Sequence, residues 1–266
     1  MRFILAAWAV CAGLTAGAAG PLAESTFTEI VRQANVVAAS DKSVTPAHPN
    51  EIFRFPDMVR TGADSRLEMT APDQTVTRVG ANAVFTFDAG ERSIRLFSGS
   101  ILFHPPAGAG GGTVRHGGTA AAVLGTTMIC AVLLDGSFKV MVLEGEATVS
   151  LINGISIDLK AGQMVIVPPE GESFGPLIEV NLGQLLNHLL LVTGFSHPLS
   201  SLPLITAAIQ FQDGQADAGT LGMFAGLRFA LYGLDVVGID LNFPTSLLNT
   251  PDHTILFVSP VQAVPF

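Results

Sequence analysis

The chain has 266 residues, enough for one large domain with appendages, and only 13% of them are charged, against about 25% in an average soluble protein. Its 13 basic and 22 acidic residues give a formal charge of −9 without any Lys/Arg cluster, which argues against nucleic acid as a partner. The mean hydropathy of +0.49 looks membrane-like, yet beyond the N-terminus no run approaches the roughly 20 apolar residues of a spanning helix.

Aromatic usage narrows the class further. Seventeen Phe stand against one Tyr (Tyr232) and one Trp (Trp8). Phe has no polar handle, so these rings belong in cores, and a sugar-stacking platform is disfavoured.

Residues 1–23 read as a signal peptide. Arg2 is the basic start, Phe3 to Leu14 the apolar stretch, and Ala16-Gly17-Ala18 the small residues before cleavage. An uncleaved membrane anchor is the alternative, although the apolar run is short for a span. The expected compartment is the bacterial periplasm or the exterior. With Cys11 removed, Cys130 is the one remaining cysteine, a small buried apolar residue that leaves no intramolecular disulfide.

Thr26 to Val37 is ambiguous on its own residues. Thr26 and Glu29 have the spacing of a helix capping box, while the β-branched content favours a strand. Ser40 to Asn50 is a loop by its turn residues, and Ile52-Phe-Arg-Phe a short alternating strand.

From Asp57 to Pro168 short apolar segments alternate with turns. Period-2 patterning marks strands at 66–70, 75–79, 83–87, 93–97, 100–104, 119–124, 126–133, 137–143, 147–152, 155–159 and 163–167. Asp135-Gly136 and Asn153-Gly154 are hairpin signals, because both residues accept positive φ. Gly62, Gly80, Gly99 and Gly118 recur every 18 or 19 residues, and Gly125, Gly145 and Gly162 follow after an offset. Two all-β arrangements produce such a period: coils stacked on coils, or a sandwich of similar hairpins. In both, Gly62, Gly80, Gly99, Gly125, Gly145 and Gly162 serve as structural joints, where positive φ or tight packing lets one strand turn into the next.

Six phrases in this order resemble the FecR-domain family. They begin at Pro56-Asp-Met-Val-Arg-Thr-Gly-Ala-Asp-Ser, Thr77-Arg-Val-Gly-Ala-Asn-Ala, Leu96-Phe-Ser-Gly-Ser, Ala122-Val-Leu-Gly-Thr-Thr, Val142-Leu-Glu-Gly-Glu-Ala and Leu159-Lys-Ala-Gly-Gln. The likeness spans roughly residues 25–170 and implies a first strand over Phe27–Val37. Well-known members join a cytoplasmic sigma-regulating arm, through a membrane helix, to a periplasmic domain that senses an outer-membrane receptor. Here only a signal-like peptide precedes the domain, so the arm and anchor are expected to be absent. What the resemblance implies is an exported β domain for recognition or assembly.

No chemistry emerges from the motifs. Gly108-Ala-Gly-Gly-Gly-Thr lacks the Gly-Lys-Ser/Thr ending of a phosphate loop and reads as a connector. The histidines (His48, His104, His116, His188, His197 and His253) have no metal-ligand spacing, and only convergence of His104 with His116 across the glycine loop would make a pair. Glu144 and Glu146, on either side of Gly145, read as a solvated rim. Arg60, Arg66, Arg78, Arg92 and Arg95 read as guards of strand edges. No catalytic, cofactor or metal residue is therefore assigned.

The texture changes after Pro168. Leu182, Leu185, Leu186, Leu189 and Leu190 follow helical spacing behind Asn181 as cap, and 203–212 forms a second helix. These short helices pack on the domain's own sheet, or else offer an apolar face to a partner or membrane. Residues 216–266 are an apolar, glycine-interrupted tail. The resulting organisation is 1–23 signal peptide, 24–170 β domain, 171–215 helical segment and 216–266 tail. The function expected is a non-enzymatic binding or signalling module of the envelope with a protein partner. The alternative is a structural or assembly protein that self-associates, or meets a membrane, through its C-terminal segment.

Overall fold

A computed structural model of the chain describes residues 20–217; residues 1–19 of the expected signal peptide (1–23) and residues 218–266 of the expected tail (216–266) lie outside them. The described residues form seventeen strands and three helices. The first strands are β1 (Glu24–Val31), β2 (Ala34–Val37), β3 (Val44–Pro46), β4 (Ile52–Arg54) and β5 (Met58–Thr61). Then come β6 (Arg66–Thr70), β7 (Val76–Val79), β8 (Val84–Phe87), the long β9 (Ser93–His104), β10 (Gly112–His116) and β11 (Thr119–Val123). They are followed by β12 (Thr127–Val132), β13 (Phe138–Glu144), β14 (Glu146–Ser150), β15 (Ser156–Lys160), β16 (Gln163–Val167) and the short β17 (Ile178–Glu179). The helices α1 (Leu182–Leu186), α2 (Leu190–Thr193) and α3 (Leu202–Asp217) end the described chain.

Pairing divides the strands into two sheets that meet in β9. The first sheet runs β4-β1-β6-β7-β9-β12-β13-β16-β17, entirely antiparallel. The second runs β3-β2-β5-β8-β9-β10-β11-β14-β15. Residues 94–98 of β9 pair with β8, and residues 99–104 pair with β7 and β12. One strand is therefore the middle of both sheets, and it changes sheet at Gly99, where φ is +78°.

The other predicted joints lie at the same kind of place. Gly62 joins β5 in the second sheet to β6 in the first, and Gly80 takes the chain back from β7 to β8. Gly125, Gly145 and Gly162 lie in the later crossings β11 to β12, β13 to β14 and β15 to β16. The near-regular spacing thus measures one hairpin laid in a sheet before the chain crosses over. Gly99, Gly125, Gly145 and Gly162 have positive φ, whereas Gly62 and Gly80 do not. Gly118, which fits the sequence spacing, is not a crossing: it lies in the β10–β11 turn, and the offset in the series arises because β9 visits the first sheet without a hairpin partner in sequence.

A single apolar core fills the space between the sheets. Phe27, Phe53, Leu67, Met69, Ile101, Phe103, Met128 and Val140 of the first sheet meet Val59, Phe85, Phe87, Ile94, Leu96, Val114 and Val149 of the second. Phe53 from β4 lies 5.8 and 5.0 Å, centroid to centroid, from Phe85 and Phe87 of β8. Rings without a polar handle thus fill a dry core, and the architecture is all-β, two sheets face to face. Cys130 is fully buried here, where burial pushes its thiol well above the usual range and keeps it unreactive.

The outer face of the first sheet is also apolar. Leu102, Ile129, Met141, Leu143 and Met164 make a second core with Leu182, Leu185, Leu189, Leu191, Leu199 and Ile205 of the helical segment. The helices therefore form a third layer over one sheet. Strands β12 and β13 are buried on both faces, as their near-continuous apolar sequence requires. Among the described residues no helix is long and apolar enough to cross a membrane.

Several expectations of local structure need adjusting, among them the loop expected over Ser40–Asn50, which contains β3. The stretch expected as one first strand is two, β1 and β2, because Arg32 adopts φ +66° and turns the chain into the other sheet. The helix expected over 182–190 is capped by Asn181, whose side chain accepts from the Gln184 N–H, but it is broken into α1 and α2. The glycine-rich connector is shorter than read, since Gly112 already begins β10, the parallel neighbour of β9.

Candidate functional site

The concentration of buried polar groups lies where the helical layer meets the first sheet. Arg78, on β7, faces outward from the core and is completely buried beneath the segment 191–197. Its Nε donates to Glu68 Oε2 on the neighbouring strand at 2.7 Å. Nη1 donates to the carbonyls of Leu191 (3.2 Å) and Val192 (2.8 Å), and Nη2 to that of His197 at 2.7 Å. The guanidinium also stacks 4.4 Å from the centroid of the Phe195 ring. A planar cation with fixed donors satisfies several carbonyls that the end of α2 leaves without helical partners.

Two neighbours extend this clasp. Arg66 on β6 donates to the Gly194 carbonyl at 3.2 Å. Glu29 on β1 accepts from the Ser196 N–H at 3.0 Å and its hydroxyl at 2.6 Å. Charged side chains from three adjacent strands thus hold the 194–197 loop. The sequence reading of Arg66 and Arg78 as edge guards is corrected here, because β6 and β7 are interior strands.

A second cluster lies at the start of α3. Thr127 Oγ1 is 2.7 Å from Glu144 Oε1, 2.7 Å from Ser201 Oγ and 3.0 Å from His104 Nδ1. A hydroxyl has one proton, so with Thr127 donating to the carboxylate, the Ser201 hydroxyl and the His104 N–H donate to it. Burial pushes the His104 imidazolium down and the Glu144 carboxyl up. Although His104 Nδ1 and Glu144 Oε1 are only 3.8 Å apart, desolvation favours neutral imidazole, and the contact is not an ion pair at neutral pH. Glu144 is therefore a buried member of a hydrogen-bonded network, not half of the solvated rim its sequence context implied; Glu146 is exposed.

The network does not have the geometry of an activated nucleophile. That chemistry needs a hydroxyl that is both directly on its base and open to a substrate; Thr127 meets His104 but is completely buried, and Ser201 bonds to Thr127 and is itself 1% exposed. His116 does not converge with His104: its ring nitrogens meet the carbonyls of Leu96 (2.9 Å) and Gly136 (3.2 Å). Among the described residues no group of three His, Cys, Asp or Glu side chains is placed to hold a metal ion; His253 lies outside them. Lys139, on the same sheet face, is nearly inaccessible, and burial pushes its ammonium down to about 7.

Sequence reasoning missed Glu68, Arg78, Thr127 and Ser201 as a set. A signal was present: isolated polar residues within apolar strands buried on both faces need internal partners. Which element would supply them was not readable, because those of Arg78 and Thr127 in the helical segment lie 74 to 119 residues away.

Comparison with known proteins bears on the β scaffold. Among solved structures, two crystal structures of a candidate anti-sigma factor from Parabacteroides distasonis ATCC 8503 are similar. The first, at 2.50 Å, shares 18% identity over 48% of this chain and 63% of that one, with a TM-score of 0.42. The chain thus spans less than two thirds of that protein. The second, at 1.65 Å, shares 17% identity over 59% of this chain and 92% of that one, with a TM-score of 0.41. No curated protein matches the chain. The family model described as FecR protein matches residues 57–148, which run from the start of β5 into β14 and take in the strand shared by both sheets.

Proposed function

We propose that this protein is an exported, non-enzymatic binding and signalling module of the cell envelope, with a protein as its partner. The FecR match over residues 57–148 carries the reading, because proteins resembling this family are regulators that act through protein contacts. The buried polar groups support it. Arg78 and Thr127 are used in holding layers together, and neither offers an open reactive atom. The apolar N-terminal stretch Phe3–Leu14 after Arg2 is the basis for export.

Affinity capture with the full chain from an envelope fraction tests the proposal. Recovery of one defined protein in stoichiometric amount is the expected result. Recovery of further copies of this chain alone supports the structural or assembly alternative, and turnover of envelope glycans by the purified chain contradicts both.

A further inference from the structure

Helix α3 has three sectors, and only two have an evident environment. Ile205, Ala208 and Ile209 pack on the helical core over the first sheet. Thr206, Gln210 and Asp213 form an exposed polar stripe. Between these two lie Leu204, Ala207, Phe211 and Gly214, on one face by the 3.6-residue period. They are exposed, Leu204 to 54% and Phe211 to 70%. A helix that is apolar on two sides is one packed on two sides.

We infer that this outer stripe of α3 is a docking surface for the chain's own segment 218–266. The stripe runs toward Asp217, the point at which those 49 residues leave the helix. Their only charged residues are Arg228, Asp235, Asp240 and Asp252, so the segment has an apolar surface of its own to cover. Leu204 to Gly214 spans about 15 Å along the helix axis, a length that about five extended residues match. Leu221, Phe224, Leu227 and Leu231 recur at three- and four-residue intervals close behind the helix. Covalent attachment presents this segment at an effective concentration of the order of millimolar. A second copy brings no such advantage, and the formal charge of −9 on each chain opposes it.

Cysteine protection in the full chain tests the inference. In a Cys11→Ser background, Phe211→Cys and Gln210→Cys place single thiols on the apolar and polar stripes; Cys130 is buried and unreactive. The Phe211→Cys thiol is expected to react with a maleimide about tenfold or more slower than the Gln210→Cys thiol, at a rate independent of protein concentration. The two rates should converge when Leu221→Asp, Phe224→Asp and Leu227→Asp are added. Circular dichroism and the thermal midpoint of each variant confirm that the β scaffold is intact. Equal rates in the otherwise unsubstituted chain overturn the inference. So do protection that grows with protein concentration, which assigns the stripe to a second copy, and protection seen only with phosphatidylcholine vesicles, which assigns it to a lipid surface.

Discussion

Gly99→Ala is the sharpest test of the crossing geometry, because β9 is the middle strand of both sheets and changes sheet at this residue. At φ +78° an alanine costs about 1–2 kcal/mol of backbone strain. Its Cβ would also lie 2.5 Å from the Cα and Cβ of Ala83 and 2.8 Å from its nitrogen, far inside the roughly 3.5–4.0 Å of ordinary carbon contact. Ala83 cannot easily retreat: it is fully buried, its N–H donates to Thr61 Oγ1 at 2.9 Å, and its carbonyl accepts from the Thr61 N–H at 3.0 Å. Overpacking of this kind adds about 1–3 kcal/mol. The sum is about 2–5 kcal/mol, a large part of the roughly 5–15 kcal/mol that holds a domain folded. Gly154→Ala is the matched control, at φ +84° with nothing within 4 Å of the added carbon, and should lose only the strain, about 1–2 kcal/mol. Denaturant titration of both variants gives the comparison. Equal losses would refute the claim that Gly99 is held by the close approach of a second crossing.

Other substitutions probe the layer contacts. Arg78→Ala leaves Glu68 and the carbonyls of Leu191, Val192 and His197 without their donor, and should cost about 3–5 kcal/mol, measured by denaturant titration; Arg78→Lys should recover only part of it. Asn181→Ala removes the cap of α1 and should cost about 1 kcal/mol in the same assay. The Glu144 carboxyl is raised from its ordinary 4.5 by burial, so its contribution is present below pH 4.5 and is lost as pH rises through the raised native value. Glu144→Gln should therefore gain stability relative to the parent as denaturant titrations move from acid toward neutral pH. His104 acts in the opposite sense, since its lowered native value gives stability present above 6.5 and lost on acidification, and this slope should survive in Glu144→Gln. Lys139, with its ammonium pushed down from 10.5 to about 7, makes stability rise with pH across that interval; Lys139→Met should flatten the rise.

Much of the β scaffold was legible in the residues. Alternation placed β6, β11 and β16 almost to the residue, because each has one face in the core and turn residues at its ends. The glycine spacing was visible as well, but not that it marks passage between sheets, since a hairpin turn and a crossing both call for glycine. The break expected between 97 and 100 does not exist: β9 continues through Gly99 because the two sheets share it. Residues such as Arg78 and Glu144 resisted sequence reasoning for a different reason. A charged residue in a short strand is solvated in most contexts, and only the helical layer, more than fifty residues further on, buries these two. The cap at Asn181 is local and was legible, as was the packing of short apolar helices on the domain's own sheet; which strands they cover is not local and was not.

The central functional claim is that the chain works by binding another protein. Its most direct test is isothermal titration of the purified full chain with the protein captured from the envelope. The account predicts saturable binding at one defined stoichiometry, reproduced when the partner is expressed separately. Absence of saturable heat, or heat explained wholly by dilution of self-associated chains, would contradict it.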